Sequence, residues 1–395
     1  MSPADHPDQR PLRILIGTDT FAPIVNGAAR FAERLAAGLV DRGHDVRVIA
    51  PSANKRDVGI FWETIEGRRM RVYRWPSIRW YPHEWLRFTW PWRAGPLSRP
   101  LLDDFRPDVV HIQSHIVVGR GIVPEARLRG IRVVATNHIM PENILDHTSL
   151  PGPVNDAFFR WAWNDIDKTL SLADAVTTPT RRAADFLEKN TSLRGVIPVS
   201  CGIDAGHYRP DLEPRTEDRL IFVGRLTSEK QVEVILRALA RLDRPVPLDI
   251  VGDGDQRKGL EALCRELGLA DRVVFHGKVD DARLVELYSR AAVFAIASIA
   301  ELQSIATLEA MASGLPVVAA DAMALPHLVE DGENGYLFPP GDDEALADRL
   351  DRVLSQDRET RVAMQRASLE GVVPHDIERT LDTFEALYRG RPLPA

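Results

Sequence analysis

Arg219-Leu220-Ile221-Phe222-Val223-Gly224-Arg225-Leu226-Thr227-Ser228-Glu229-Lys230 decides the architecture. Its continuous apolar run reads as a strand buried on both faces, as in a parallel sheet. Gly224 closes the strand, and the apolar spacing from Glu229 to Leu242 predicts a helix. The alternation continues outward with a strand at Leu248 to Val251, a helix at Gln256 to Leu267, and strands at Val273 to Phe275, Val293 to Ile296 and Pro316 to Ala320. Upstream it has already run once. Leu12 to Ile16 ends at Gly17, a loop covers Thr18 to Asn26, and a helix from Gly27 to Val40 carries Phe31, Leu35 and Leu39 on one face before Gly43 caps it. Strands at Val46 to Ala50, Asp108 to Ile112, Arg132 to Thr136 and Ala175 to Thr177 complete that series. Two βα series separated by the polar, proline-containing stretch 204–218 predict an α/β chain of two doubly wound parallel-sheet domains. The expected division is 1–200, 201–370, and a C-terminal segment 371–395 whose helix returns to the first domain.

Length and composition bound the function. With 395 residues the chain has room for two cores. A net charge of −7 gives no reason to expect nucleic-acid binding. The two cysteines, Cys201 and Cys264, exclude a disulfide framework and fit a reducing cytoplasm. The polar opening residues do not read as a signal peptide, and no apolar run is long enough to span a membrane, so membrane contact would be peripheral. One segment departs from the average. Residues 61–100 hold eight arginines against three acids, and six of the eight tryptophans. Trp75, Trp80, Trp85 and Trp90 with Arg79 and Arg87 suit a lipid headgroup surface, where guanidinium meets phosphate and indole sits at the interface. The same residues would equally suit a packed excursion held by cation–π contacts, or an acceptor pocket.

Candidate chemistry collects at strand ends. Glu301-Leu302-Gln303-Ser304-Ile305-Ala306-Thr307-Leu308-Glu309 places one carboxylate in a loop and a second inside the helix that follows. Free N–H groups at that helix start can bind hydroxyl or phosphate oxygens, and a carboxylate accepts from a vicinal diol. Arg225 and Lys230, behind Gly224, can neutralise a diphosphate without a metal. Thr136-Asn137-His138 ends a strand where open α/β sheets bind ligands. His111 and His115 lie one strand earlier and read as structural or acceptor-binding. Asp253-Gly254-Asp255 matches a D-x-D metal pattern, but its place between a strand and a helix favours a turn and cap. In Val279-Asp280-Asp281 an aspartate can accept from two adjacent N–H donors of a ligand, or cap the next helix.

These residues carry a resemblance. The Glu301-to-Glu309 stretch looks like the E-x7-E signature of family 4 retaining glycosyltransferases of GT-B fold, and the likeness runs from Ile14 to the C-terminal helix. It implies two facing Rossmann-like domains, with Glu301 on the transferred sugar and Glu309 on the donor ribose. Ser304 stands where that family often has glycine, and Ile305 follows it at the donor. The resemblance further implies that Arg225 and Lys230 hold the leaving diphosphate, that His138 acts near the donor, and that Gly27 meets the donor phosphate, although Ala28 replaces the family's second glycine. Val279 and Asp281 fall in the loop that contacts the donor base, which tilts the reading toward a GDP-sugar over a UDP-sugar. No metal is expected. The stretches Thr136 to Asn143 and Ala319 to Pro326 are similar to bacterial glycolipid-forming members with diacylglycerol-type acceptors. The expected activity is transfer of a hexose, mannose before glucose, to a membrane lipid at the inner face of the cell membrane. Its rivals are a soluble acceptor, such as inositol phosphate or a polysaccharide, and a sugar-nucleotide 2-epimerase. A nicotinamide enzyme is disfavoured because neither first βα turn shows G-x-G-x-x-G.

Overall fold

The computed structural model describes residues 10–24, 26–54, 56–79, 87–139, 141, 152–212 and 217–394. The chain divides into two compact units. One runs up to Ser200 and takes up the chain again from Thr380, and the other runs from Cys201 to Arg379.

The first unit is built on an eight-stranded sheet in the order Ile197–Pro198, Ala175–Thr178, Arg132–Thr136, Val109–Ile112, Arg13–Gly17, Asp45–Pro51, Arg68–Trp75, Gly59–Ile65. Every pairing is parallel except the last, where Gly59–Ile65 runs antiparallel to Arg68–Trp75. Ile14, Leu15 and Ile16 lie fully buried in the middle of the sheet, as their unbroken apolar run requires. The helix Gly27–Asp41 starts where the Asn26 side chain accepts the Ala29 N–H at 2.8 Å, and it buries Phe31, Leu35 and Leu39. The edge hairpin was not legible in the arginine- and tryptophan-rich composition. Its two-residue turn holds Glu66 and Gly67 at φ 46 and 74, the left-handed pair that suits a tight hairpin.

The second unit holds a six-stranded, wholly parallel sheet in the order Val273–Gly277, Leu248–Val251, Leu220–Val223, Val293–Ile296, Val317–Ala320, Gly335–Phe338. Both units are therefore Rossmann-like α/β layers. One expectation is corrected here. The helix anticipated from Glu229 is instead a short 3₁₀ turn, Ser228–Lys230, a left-handed Gln231 at φ 46, and then the α-helix Val232–Arg241. The Glu229 carbonyl does not join a helical ladder. It accepts Ile299 N–H at 3.0 Å and the Ser298 hydroxyl at 3.3 Å, which ties this turn to the neighbouring strand end.

The last helix, Ile377–Arg389, packs on the first unit through its later turns. Phe384 is fully buried and lies 5.8 Å from the Phe31 ring and 4.8 Å from the His111 ring. Arg132 donates to the Leu387 carbonyl at 2.7 Å, and Glu385 pairs with His44. Among the described residues no helix is long and apolar enough to cross a membrane.

Candidate active site

In the second unit the strand Leu220–Val223 and its neighbour Val293–Ile296 bring their carboxyl ends side by side. From the first strand come Arg225 and Lys230, and from the second Glu301. The Lys230 ammonium and the Glu301 carboxylate form an ion pair at 2.5 Å, with both side chains largely buried. Arg225 reaches the Glu229 carboxylate at 3.4 Å, and the Thr227 hydroxyl donates to the same oxygen at 2.6 Å. Burial alone would raise the Glu229 carboxyl. The Thr227 bond and the charges of Arg225 and Lys230 outweigh it and hold it below its ordinary value, so Glu229 is an anion at neutral pH. Both cations thus already have anionic partners, and an incoming diphosphate would exchange one oxyanion for another.

The helix Ile305–Ala312 follows, with Ser304 as its N-cap at φ 46. A left-handed conformation is easy for glycine and strained for serine, which gives a physical reason for the family's preference. Serine recovers part of that strain through its hydroxyl, which accepts from Thr307 Oγ1 at 2.7 Å. Ile305 is the first residue of the helix. Glu309, one turn in, is buried, and Tyr288 donates to its Oε2 at 3.2 Å. Tyr288 belongs to the helix Asp281–Arg290, so the helix that Asp281 opens also carries the partner of Glu309. The cap of that helix is Asp280, which accepts Arg283 N–H at 2.8 Å, while Asp281 is exposed in its first turn. Asp253 and Gly254 form a turn against the loop behind Gly224, with Leu226 N–H donating to the Asp253 carbonyl at 3.1 Å.

In the first unit His138 stands just past the strand Arg132–Thr136. Its Nε2 meets Gln113 Oε1 at 2.8 Å, and its ring lies 5.0 Å from Phe31. Phe31 sits on the helix that Gly27 opens, so Gly27 and His138 share one corner of this unit. His111 is fully buried, with Nδ1 2.6 Å from the Tyr388 hydroxyl and Nε2 2.7 Å from Thr136 Oγ1. That assigns His111 a structural place. Burial pushes His111, His115 and His138 each down to about 3. A histidine lowered this way holds fewer protons folded than unfolded between its folded value and about 6.5, so its contribution is intact above that upper limit and is lost as pH falls. Glu33, raised by burial to about 7, acts in the opposite sense as pH falls through 7. A His111→Gln variant removes one histidine from this balance. Its stability deficit relative to wild type, read by urea denaturation, should narrow by about 2 kcal/mol between pH 7 and pH 5. A constant gap would mean that His111 is not neutral in the fold.

The segment 61–100 divides. Trp75 does not belong to a lipid or acceptor surface, because it is 5% exposed within the core of the first unit. Arg87 is also turned inward. Its guanidinium donates to the Ser52 and Ser77 carbonyls at 3.1 and 3.2 Å and to the Ser77 hydroxyl at 2.8 Å. Trp80 and Trp85 lie outside the described residues. Arg79 is exposed. Trp90 is 39% exposed and stacks at 4.7 Å on Trp92, which is 68% exposed. Trp62 is exposed on the edge strand, with the guanidinium groups of Arg69 and Arg71 within about 5 Å of its ring.

Glu229, Tyr288 and Gln113 were not singled out from sequence. Glu229 had a signal, being an acid beside Lys230 in the decisive loop. Gln113, directly behind a buried strand end, had a weaker one, and Tyr288 had none.

Known proteins resemble the chain over nearly its whole length. Residues 25–207 match the family model "Glycosyltransferase Family 4", and residues 207–370 match "Glycosyl transferases group 1". An uncharacterised glycosyltransferase of Methanocaldococcus jannaschii is 30% identical over 87% of this chain and 89% of its own length. A GDP-mannose-dependent alpha-mannosyltransferase of Mycolicibacterium smegmatis is 29% identical over 97% of this chain and 100% of its own. Among solved structures, the sucrose-phosphate synthase of Thermosynechococcus elongatus superposes with a TM-score of 0.79, covering 96% of this chain and 99% of that one at 21% identity.

Proposed function

The chain belongs to the family 4 glycosyltransferases of GT-B fold, and from that premise we propose that it moves a mannosyl group from GDP-mannose, with retention of configuration, to a diacylglycerol-based glycolipid at a membrane surface. The observation that carries the reading is the Lys230–Glu301 pair, with Arg225 beside it at the carboxyl ends of adjacent strands. A nucleoside diphosphate leaves as a multiply charged oxyanion. Preorganised cations at that point lower the barrier more than they bind the ground state. Arg225 and Lys230 would take that charge with no metal ion, Glu301 would accept sugar hydroxyls, and Glu309, held by Tyr288, would accept the ribose diol. The departing diphosphate oxygen would receive the proton of the attacking hydroxyl on the same face of the sugar. GDP is favoured over UDP because an aspartate at Asp281 can accept two guanine donors, and because the mycobacterial relative uses GDP-mannose. The lipid acceptor rests on the outward-facing Trp62, Trp90 and Trp92 with Arg69 and Arg71.

Thermal shift with GDP and UDP tests the donor, since a ligand bound only by the folded chain raises its melting point. GDP should raise it more than UDP. The reverse would move the donor to a UDP-sugar, and no shift with either would remove both donor assignments. Vesicles containing a diacylglycerol glycolipid should then accept label from GDP-mannose, and Trp90→Ser with Trp92→Ser should weaken vesicle binding. Transfer to soluble polyols alone, with vesicle binding unchanged, would favour a soluble acceptor.

A further inference from the structure

Gln113 lies 1% exposed between two histidines. Its side-chain nitrogen is 3.4 Å from His111 Nδ1 and 3.2 Å from His111 Nε2. Nearly equal distances mean that it addresses neither ring nitrogen head-on. Both are in any case taken, Nδ1 by Tyr388 and Nε2 by Thr136. The Gln113 amide therefore rests its N–H group on the electron-rich ring. The flipped amide would set its oxygen against the same ring electrons, which is repulsive for either tautomer of the neutral His111. With the amide nitrogen turned to His111, Oε1 faces His138 Nε2 at 2.8 Å. An amide oxygen accepts and cannot donate, so this contact requires Nε2–H on His138. The other tautomer would press two lone pairs together.

We propose that Gln113 is a positioning residue of the transfer reaction. It fixes His138 as the Nε2–H tautomer and leaves the bare Nδ1 as the ring's acceptor for the hydroxyl of the incoming acceptor molecule. This rests on the transferase reading above. Nδ1 makes no hydrogen bond to a described residue. Phe31, whose ring is tilted at 56° to that of His138 with centroids 5.0 Å apart, and the Gln113 bond together fix the ring's orientation. The Gln113 amide is itself fixed by a hydrogen-bonded chain running Tyr388, His111, Thr136 and Thr177, with the last link at 2.7 Å. The ring thus acts as a hydrogen-bond acceptor that orients the attacking oxygen, while the proton still leaves with the diphosphate.

The test begins with the full chain labelled with ¹⁵N-histidine, His138→Gln serving to assign the signal. His138 should show the Nε2–H tautomer alone across about pH 5 to 8. An Nδ1–H tautomer, or a mixture, overturns the proposal without any activity measurement. Gln113→Met removes the acceptor at similar volume. It should release the ring to both tautomers and lower kcat roughly 10- to 100-fold, with the KM for the nucleotide sugar changed less than about twofold. A raised KM with unchanged kcat would overturn it. If that variant does not fold, the wild-type spectrum still decides. If wild type transfers to no acceptor, the transferase reading fails and the spectrum still judges the tautomer.

Discussion

Lys230→Ala should lower turnover roughly 10²- to 10³-fold, with the larger share in kcat, because the lost cation acts on charge that develops as the diphosphate departs. The same change should also lower stability. Lys230 and Glu301 are only 14% and 13% exposed, so removing the ammonium leaves a poorly hydrated carboxylate without its close partner. The cost of such an orphaned ion is about 3 kcal/mol. The two effects separate in a double variant. Glu301→Gln on the Lys230→Ala background removes the uncompensated charge, so the melting temperature should recover while turnover stays low. If turnover recovered with stability, the lysine would be structural and the leaving-group role would fall. Glu301→Gln alone should weaken donor use without that orphaned-anion penalty, since an amide can still accept from Lys230 and from a sugar hydroxyl.

How much of this site could be read in advance depended on how local each signal was. The strand Leu220–Val223, its glycine and the two cations behind it lie within residues 220–230, so the apolar run and the charges that follow it could be read locally. Glu301 and Glu309 stood out only through the likeness of their whole stretch to the family signature, since two glutamates eight apart mean little alone. The partner of Lys230 was not legible, because the contact spans 71 residues and depends on two strands becoming neighbours in the sheet. Glu229 was passed over because an acid beside a lysine usually faces solvent. Here Glu229 lies in the 3₁₀ turn Ser228–Lys230, and its carboxylate accepts from both Thr227 and Arg225. The arginine- and tryptophan-rich segment misled for a different reason. Over Val72–Trp75, the last four residues of the strand Arg68–Trp75, every side chain is buried, so Trp75 packs inward. Arg74 is also buried, because Glu63 neutralises it with two hydrogen bonds across the hairpin. Composition cannot report a cross-strand partner, and the orientation of Trp75 and Arg87 followed from it.

Gly252→Ala should be among the most damaging single-methyl changes near the site. Gly252 has φ 128, where an L side chain is strained, and a Cβ there would lie 1.9 Å from the Gly224 carbonyl oxygen. The obstacle is backbone, so no side-chain movement relieves it. That carbonyl precedes Arg225, and the two loops are laced together. Gly224 N–H donates to the Val251 carbonyl, Leu226 N–H to that of Asp253, and Gln256 N–H back to that of Leu226. Gly254 is under the same constraint, with a Cβ position 2.2 Å from the Leu226 carbonyl oxygen, which explains a glycine between Asp253 and Asp255 by packing. Either loop must move to admit the methyl group. The expected loss is about 3–5 kcal/mol by urea denaturation. The folded fraction should also turn over more slowly, since a shift of about 1 Å in Arg225 suffices to cost roughly 10²-fold. Gly259→Ala is the matched control. It lies in the helix Arg257–Glu266 with nothing within 4 Å of its Cβ position, and it should gain about 0.5–1 kcal/mol from helix propensity. If the two variants were equally stable, the close approach of the loops could not be what holds Arg225, and the clamp would need another scaffold.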